Sequence, residues 1–304
     1  MGDELARKTI EKLSIKERLK TGKISENIFK RYFLFAKENQ DSLITTLIQN
    51  PYGRNKNTKE IKEAFGSIIA NNLEILNKMH DSDLSILVNI ENQKDMAILF
   101  LSTHSILIKQ KDQYPELFTP QKAEYLMRLL EKVYISKLKH ELEDQLFELM
   151  DGETYSHYES LLKLSRETYN KHEKQIKNEL RKLFRKEKIK AKVQSRIKSI
   201  YSIHRKITKK NILFSQVLDV VGIRILAEND EDCYRIMESI LPKWQILNSR
   251  VKDYIALPKE NGYKSIHLTM LIFNQPVEIQ IRTYDMHHHA QYGKADHVKY
   301  KKDQ

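Results

Sequence analysis

The periodicity of apolar residues changes near residue 200, and this change constrains the fold more than any other feature of the 304-residue sequence. Up to about residue 190, apolar residues recur at spacings of three and four, which is typical of amphipathic helices. After about residue 210, short apolar runs rich in β-branched residues indicate strands. The pattern therefore predicts an α+β protein, in which an all-helical part is followed by a part that mixes strands and helices.

Apolar stripes locate the helices of the first part. Residues 137–150 (KLKHELEDQLFELM) form an amphipathic pattern that ends at Asp151-Gly152, and a further helix is expected from about Tyr155 to Glu187. Two other stripes are formed by Ile61, Phe65, Ile68, Ile69, Leu73 and Leu76, and by Leu126, Leu129, Leu130 and Val133. A helical domain over residues 1–150 and connecting helices over 151–190 follow from these patterns.

Residues 191–304 form the part expected to contain strands. Buried strands are predicted at 217–227 (VLDVVGIRILA), 266–273 (IHLTMLIF) and 277–282 (VEIQIR). The last two are separated by Asn274-Gln275-Pro276, which suggests a hairpin, and residues 230–241 have the pattern of a helix with an acidic first turn.

The charge of the chain indicates acidic partners. The formal net charge is +12, and residues 181–210 contain 13 Lys or Arg against one acid, Glu187. Such a run is in most proteins a solvated helix face, but here it leads into candidate phosphate-binding residues. A single cysteine, Cys233, excludes an internal disulfide, and no signal peptide or membrane span is evident. A cytoplasmic protein without a membrane partner is expected.

Two acidic residues in the predicted strands are candidates for phosphoryl-type chemistry. Alternation along 277–282 places Glu278 on an accessible face of its strand, together with Gln280 and Arg282. Asp219 lies among apolar residues near the start of another strand, where an unpaired carboxylate is costly. We expect Asp219 and Glu278 to hold Mg²⁺, which prefers one or two carboxylates together with phosphate oxygens and water.

Basic residues near these acids could neutralise nucleotide phosphates. We expect Arg196, Lys198, Arg205 and Lys206 to bind a triphosphate, and Lys252 and Lys259 to bind the phosphates of an acceptor. The sequence has no Walker loop, dinucleotide-binding fingerprint or protein-kinase signature. A nucleotide would therefore be bound by side chains that project from a sheet.

Five segments in order over about 105 residues resemble the synthetase domain of the RelA/SpoT homologue family, the (p)ppGpp synthetases. The segments are SRIKSIYSIHRKI (195–207), DVVGIRI (219–225), DYIALPKENGYKSIH (253–267), PVEIQIRT (276–283) and MHHHAQYGKADHVKYK (286–301). The resemblance implies a mixed sheet flanked by helices, related to nucleotidyltransferases. It also implies transfer of pyrophosphate from ATP to the 3′-hydroxyl of GDP or GTP.

The resemblance also implies roles for individual residues. Arg196 would pack on the adenine of ATP, Lys198 and Lys206 would bind its phosphates, and Asp219 would ligate Mg²⁺. Glu278 would be the second acid, which assists the metal or takes the proton of the ribose 3′-hydroxyl. Tyr263 would stack on guanine. The other residues that would hold the acceptor nucleotide are Lys259, Asn261, His267 and Gln280.

The helical part more weakly resembles the hydrolase domain of long family members, which uses a Mn²⁺ ion held by His and Asp residues. Residues 61–79 and 130–149 carry this resemblance, but residues 37–57 (KENQDSLITTLIQNPYGRNKN) lack the expected His-Asp and Glu-Asp pairs. His80-Asp81 and His104 are not expected to replace them. The hypothesis is that this domain is an inactive remnant, and that the protein makes the alarmone without degrading it.

Other functions remain open at this point. A toxic relative transfers pyrophosphate to the 3′ end of tRNA, and the net charge of +12 is compatible with such an acceptor, so that tRNA or the ribosome is not excluded as a partner. A nucleotide-binding pseudoenzyme and a basic RNA-binding module are further alternatives. The sequence does not determine the oligomeric state.

Overall fold

The computed structural model describes Thr45, Gln49 and residues 58–133, 135–247, 251–260 and 262–292. The described residues divide into two compact units, one that ends at Met150 and also includes Tyr292, and one that comprises Asp151–Gln291. The first unit is helical, and the second contains a six-stranded sheet with helices. The α+β class is therefore confirmed. Within the described part of the chain, no helix combines the length and the apolar character that a membrane crossing requires.

Six α-helices are described in the first unit, with short 3₁₀ segments at Ile90–Gln93, Ile108–Gln113 and Pro115–Leu117. They are α1 (Thr58–Phe65), α2 (Ser67–His80), α3 (Ser85–Val88), α4 (Lys94–Leu107), α5 (Pro120–Val133) and α6 (Ser136–Met150).

The apolar stripe predicted from Ile61 to Leu76 is interrupted. Gly66 has a φ of 92°, a left-handed value that favours glycine, and it separates α1 from α2. Because the helix restarts after Gly66, Ile68 points outwards and is 61% exposed, whereas Ile69, Leu73 and Leu76 are buried. The prediction that Ile68 belongs to the core was wrong.

The other two helical patterns agree with the structure. Leu126, Leu129, Leu130 and Val133 are all buried on α5. On α6, Leu138, Leu142 and Leu146 are buried, and Leu149 is partly exposed. These side chains form the core of the first unit together with α4, which is buried on most of its surface.

The second unit opens with a 35-residue helix, α7 (Gly152–Lys186). Its first turn is capped by the Asp151 side chain, whose Oδ1 accepts a hydrogen bond from the Thr154 amide over 3.0 Å. The cap explains why the helix begins three residues before Tyr155. Tyr169, Ile176, Leu180 and Phe184 form its buried side.

The remaining elements of the second unit follow in the order β1 (Ala191–Ile197), α8 (Ile200–Lys210), β2 (Val221–Ala227), α9 (Asp230–Ile240), β3 (Gln245–Ile246), β4 (Lys252–Asp253), β5 (Ile266–Ile272), β6 (Gln275–Thr283) and α10 (Tyr284–Tyr292). The strand order is β1-β2-β6-β5-β3, and β4 pairs with β5. β2 and β6 are parallel and the other pairs are antiparallel, so that the sheet is mixed, as the resemblance implied.

Two strand boundaries differ from the sequence-based expectation. β2 begins at Val221 instead of residue 217, because residues 218–220 form a turn. β6 begins at Gln275, and the β5–β6 hairpin has a two-residue loop, Phe273-Asn274. Both loop residues have positive φ, 50° and 59°, as the tightest hairpin turns require. Strand β1 and the short strands β3 and β4 were not predicted.

Candidate functional site

Polar side chains from four strands share one face of the sheet. In the strand register, Arg196 of β1 lies opposite Gly222 of β2, which lies opposite Glu278 of β6. Two residues further towards the C-terminal end of β6, a second set of residues lies opposite one another in the register: Gln194 of β1, Arg224 of β2, Gln280 of β6 and His267 of β5. Because residues opposite each other in a register point to the same side, these residues project from one face. The other face carries Ile223, Ile279 and Ile281, which are fully buried.

The polar face is more enclosed than the alternation pattern suggested. Glu278 is 14% exposed as a side chain, Gln280 is 4% exposed and Arg282 is 2% exposed. The expectation of an accessible face was wrong for β6. Tyr263 and His287 contact Arg282 on this face, which explains part of the burial.

Glu278 has three polar partners. Its Oε2 atom accepts from Arg196 Nη1 over 2.9 Å and from Gln280 Nε2 over 2.8 Å, and its Oε1 lies 3.2 Å from His267 Nδ1. Burial would raise the pKa of Glu278, but the hydrogen bond and charge of His267 and the charge of Arg196 outweigh it, and the pKa lies below its ordinary value of 4.5. Glu278 is therefore ionised at neutral pH.

Asp219 lies in the turn before β2, and two lysines bind it. Lys198 Nζ is 2.5 Å from Oδ2, and Lys206 Nζ is 2.6 Å from Oδ1. Burial opposes ionisation of Asp219, but the two ammonium groups outweigh it and lower its pKa to about 2. The pKa of Lys198 is also lowered, because burial at the ammonium outweighs the attraction of Asp219.

The two carboxylates lie close enough to interact electrostatically. The negative charge of Asp219 acts to raise the pKa of Glu278, and that of Glu278 acts to raise the pKa of Lys198. Asp219 and Glu278 are therefore at the same end of the polar face. Among the described residues, no group of three or more His, Cys, Asp or Glu side chains could hold a metal ion. A cation here would have two protein carboxylates and would need further oxygens from a ligand or water.

The segment after β4 brings an aromatic ring to this face. The Tyr263 hydroxyl lies 2.9 Å from His267 Nε2, and Lys259 Nζ lies 5.2 Å from the centre of the Tyr263 ring and 4.5 Å from that of Tyr254. Because Glu278 can only accept, His267 donates from Nδ1; in the neutral imidazole Nε2 then accepts from Tyr263, and in the protonated form Nε2 donates to the Tyr263 oxygen. A hydrogen-bonded chain thus joins Tyr263, His267 and Glu278. Asp253 supports the segment by accepting from the amides of Ile255 and Ala256 over 2.9 and 3.0 Å.

The structure brings together most of the residues selected from the sequence. Arg196, Lys198, Lys206, Asp219 and Glu278 form two ion-paired clusters, and Tyr263, Lys259, His267 and Gln280 are linked to the second of them. Lys252 lies opposite His267 in the β4–β5 register, and its side chain is exposed. Arg205 is exposed on α8, whereas Lys198 and Lys206 are partly buried around Asp219. Asn261 lies outside the described residues.

The sequence profile described as "Region found in RelA / SpoT proteins" matches residues 195–304, which include both carboxylates and the tyrosine-containing segment. Residues 195–304 are therefore similar to the region that RelA and SpoT proteins share.

Curated relatives from the family match a longer segment. The "GTP pyrophosphokinase" of Streptomyces antibioticus is 37% identical over 179 residues, and that of Escherichia coli (strain K12) is 41% identical over 177 residues. A "probable guanosine-3′,5′-bis(diphosphate) 3′-pyrophosphohydrolase" of Synechocystis is 37% identical over 175 residues. These alignments cover 57 to 58% of this chain and 21 to 23% of the relatives. The chain therefore matches less than a quarter of the length of these relatives.

A structural match to a small alarmone synthetase is weaker. The small alarmone synthetase 1 of Bacillus subtilis, bound to its product pppGpp, aligns over 49% of this chain and 84% of its own chain, with 27% identity and a TM-score of 0.38. At this TM-score the alignment does not establish a shared overall fold.

Two arginines of the RelA/SpoT region contribute to the polar face without having been assigned a role from the sequence. The Nε atoms of Arg224 and Arg282 are buried without a hydrogen-bond partner, as is that of Arg196. Burial and neighbouring arginines lower the pKa of Arg224 to about 10 and that of Arg282 to about 9. Alternation along β6 did place Arg282 beside Glu278, whereas Arg224 could be found only from the β2–β6 register. Three guanidinium groups near one glutamate leave the face with an excess of positive charge.

Helix α10 adds a histidine to this face. Arg282 Nη2 donates to His287 Nδ1 over 2.6 Å, so that the proton of the neutral imidazole is on Nε2. Burial, together with Arg282 and Arg224, lowers the pKa of His287 to about 3. His287 is therefore neutral at pH 7, and it orients the guanidinium of Arg282 through this hydrogen bond.

Proposed function

We propose that this chain transfers a pyrophosphate group from ATP to the 3′-hydroxyl of GDP or GTP. The observation that carries the proposal is the pairing of two ionised carboxylates with basic residues at one end of the polar face, next to Tyr263. The names of the curated relatives support the proposal, since several are GTP pyrophosphokinases.

The basic residues fit a highly charged donor. Lys198 and Lys206 now bind the Asp219 carboxylate, and Arg196 binds Glu278, but each has further donor atoms that could bind phosphate oxygens. Arg224 adds a partly buried guanidinium that forms no ion pair with the described residues, although the charge of Glu278 acts on it. We assign Arg196, Lys198 and Lys206 to ATP, with Arg205 on the exposed side of α8.

The proposed step is an in-line displacement at the β-phosphorus of ATP. The 3′-oxygen of the acceptor forms a bond to this phosphorus, the bond between it and the oxygen of the α-phosphate breaks, and AMP leaves. Glu278 accepts the proton of the 3′-hydroxyl. Its three hydrogen-bond partners hold the carboxylate in place, which aligns the base before the substrate binds.

The acceptor nucleotide is assigned to the Tyr263 side of the face. The Tyr263 ring is partly exposed and held by its hydroxyl, which suits stacking on guanine. Lys259, exposed beside this ring, and Lys252 on β4 are placed to attract the 5′-phosphates. His267 and Gln280 contact Glu278 and so lie between the guanine site and the reacting hydroxyl. Asn261 stays a prediction from the sequence.

The donor set fits a magnesium ion. Asp219 and Glu278 provide ionised oxygen ligands, the type that Mg²⁺ prefers, and the remaining ligands would be phosphate oxygens and water. When bound, the ion would neutralise charge on the transferred phosphates. The protein side chains would still have to bind the nucleotides, orient the hydroxyl and accept its proton.

Incubation with ATP labelled at the γ-phosphate tests the proposal. Label should appear in a guanosine nucleotide when GDP or GTP is the acceptor, and not in tRNA supplied at the same concentration. Labelling of tRNA alone would instead support the toxic-relative alternative, and binding of ATP and GDP without product would support a pseudoenzyme.

We further propose that the first unit does not degrade the product. His80 and His104 are buried with their ring centres 6.1 Å apart, but no cluster of carboxylates accompanies them among the described residues. The segment 37–57 lies almost entirely outside the described residues. Release of pyrophosphate from ppGpp in the presence of Mn²⁺ would contradict this part of the proposal.

A further inference from the structure

A basic surface runs along the last part of α7 and into β1, outside the candidate site. Between residues 170 and 192, nine basic side chains are exposed, and no acidic side chain is exposed. We call this set the α7 basic surface. It consists of Lys171, Lys174, Arg181, Lys182, Arg185, Lys186, Lys188, Lys190 and Lys192.

The single sign of these charges is not explained by composition. The whole chain has 53 basic and 41 acidic residues, so basic residues are only a little over half of its charged residues, whereas every fully exposed charge between residues 170 and 192 is basic. The three acids of this segment, Glu173, Glu179 and Glu187, are partly exposed, and the first two are paired. Glu173 is bound by Lys177 and Ser195, and Glu179 by Lys243 over 2.7 Å.

Most of these basic residues do not neutralise acids of the same molecule. The side chains of Lys171, Lys174 and Lys186 form no hydrogen bond or ion pair with the described residues, and neither do those of Lys188 and Lys190. Lys182 lies 3.9 Å from Glu179, a weak pair, and Arg181 and Arg185 bond only to neutral atoms of α7. The charges are therefore available to an external polyanion.

We propose that the α7 basic surface binds double-helical nucleic acid through its phosphate backbone, without reading its sequence. The helical part from Lys171 to Lys186 extends about 22 Å, which is roughly the axial rise of six base pairs of a duplex. This regular array of charges matches a duplex backbone better than it matches a single nucleotide. RNA and DNA duplexes present the same chemistry, and the experiment below distinguishes them.

The composition of the surface argues against two other polyanionic partners. Its exposed uncharged residues are Asn170, Gln175 and Asn178, while Ile176, Leu180 and Phe184 are buried. A membrane surface is bound most firmly when apolar side chains enter the bilayer, and none is exposed here. Single-stranded nucleic acid is usually bound by stacking on several aromatic rings. No aromatic side chain of this segment is exposed, and Phe273, an exposed ring beside it, is already stacked on His172 with ring centres 4.6 Å apart.

Fluorescence anisotropy with labelled 20-base-pair RNA and DNA duplexes tests the proposal on the full chain. We expect binding at 50 mM salt, and log Kd should rise linearly with the logarithm of the salt concentration. A variant with Lys174→Gln, Arg181→Gln, Lys182→Gln and Arg185→Gln should bind at least tenfold more weakly at 100 mM salt and show a shallower slope. A variant with the same change in net charge on the first unit serves as the control: Lys62→Gln, Lys78→Gln, Lys109→Gln and Lys132→Gln, four exposed lysines.

Binding of either duplex, reduced in the surface variant and retained in the control, supports the proposal and identifies the nucleic acid. A Lys174→Arg, Lys182→Arg and Lys186→Arg variant should bind like the unmodified chain. The proposal is overturned if neither duplex binds at 50 mM salt, or if both glutamine variants lose affinity equally. Binding of the unmodified chain and of the surface variant to phosphatidylserine vesicles is measured as well. The proposal is also overturned if the glutamine substitutions on the α7 basic surface weaken vesicle binding and leave duplex binding unchanged.

Discussion

Arg196 reaches Glu278 across strand β2, with Nη1 2.9 Å from the carboxylate Oε2, and the residue between them in the register is Gly222. A glycine at this position presents no side chain to separate the two. The backbones of β2 and β6 also approach closely there, since a Cβ atom built on Gly222 would lie 2.6 Å from the carbonyl oxygen of Glu278. The ion pair of the candidate site therefore depends on the absence of a side chain in the middle strand.

Substitution of Gly222 by Ala should disturb both the sheet and the site. Because the nearest atoms belong to the backbone of β6, the added methyl group has to push the strands apart, at a cost of about 1–3 kcal/mol in the free energy of unfolding. Urea unfolding measures this cost. Gly152→Ala is the matched control, because no atom lies within 4 Å of the added Cβ at the first position of α7, and it should leave stability unchanged or slightly raised. Equal stability of the two variants would show that β2 and β6 are not in contact at Gly222.

Replacement of Glu278 by Gln should remove synthesis and keep the fold. The amide is nearly isosteric with the carboxylate, but it cannot accept the proton of the ribose hydroxyl, and product formation should fall by about 10²- to 10⁴-fold. Steady-state assays of the variant measure this loss, and circular dichroism checks the fold. Glu238→Gln, an exposed acid on α9, should retain full activity. Near-normal activity of the Glu278→Gln variant would mean that another group acts as the base.

Tyr263 should affect the acceptor and not the donor. Loss of a stacking ring costs about 1–3 kcal/mol per base, so that Tyr263→Ala should raise the KM for GDP by roughly 5- to 150-fold, with the KM for ATP changed little. Tyr263→Phe keeps the ring and loses only the hydrogen bond to His267, and its effect should be much smaller. Measurement of both KM values for the two variants checks this assignment. A parallel rise in the KM for ATP would argue against a separate guanine site at Tyr263.

The buried His104 should make the first unit sensitive to mild acid. Burial lowers the pKa of this histidine to about 4, while its Nδ1 atom contacts the Phe100 carbonyl over 2.8 Å. The unfolded chain takes up a proton as the pH falls below about 6.5, whereas the folded chain does not until about pH 4. The free energy of unfolding is thus unaffected above pH 7 and should fall by about 2 kcal/mol between pH 7 and pH 5.

The difference in the free energy of unfolding between pH 7 and pH 5 isolates the effect of His104. His104→Leu should reduce the loss of stability between pH 7 and pH 5 in urea unfolding, whatever its stability at pH 7. His287, with a pKa lowered to about 3, contributes in the same direction and is unchanged in this variant. An unaltered pH dependence would show that His104 is not buried in the neutral form.

The elements that could be predicted from the sequence are those that depend on local patterns. The buried stripe of α5 follows from spacing alone and agrees with the structure. Alternation along β6 correctly places Val277, Ile279 and Ile281 in the core, but not the burial of the opposite face. Asp219 and Glu278, about 60 residues apart, could be paired as candidate metal ligands before any coordinates, because both are carboxylates within predicted apolar strands, and the resemblance to the RelA/SpoT family implied the same roles. The spacing itself does not show that their strands are neighbours.

Features that depend on tertiary contacts were missed or misjudged. The burial of Gln280 and Arg282 results from side chains of distant segments, Tyr263 and His287, which alternation within one strand does not reveal. Arg224 became a candidate only when the β2–β6 register placed it opposite Gln280. Asp219 lies in the turn before β2 and not in a strand. The two lysines that bind it come from the residue after β1 and from α8, a tertiary arrangement that the local pattern does not reveal.

The stoichiometry of the products tests the central claim most directly. Quantification of nucleotides after incubation of the full chain with ATP, GDP and Mg²⁺ should show one AMP released for each guanosine nucleotide that gains a pyrophosphate at the 3′-position, and neither product should form with Glu278→Gln. Formation of ADP in place of AMP, or AMP release that does not depend on GDP or GTP, would contradict pyrophosphate transfer at this site.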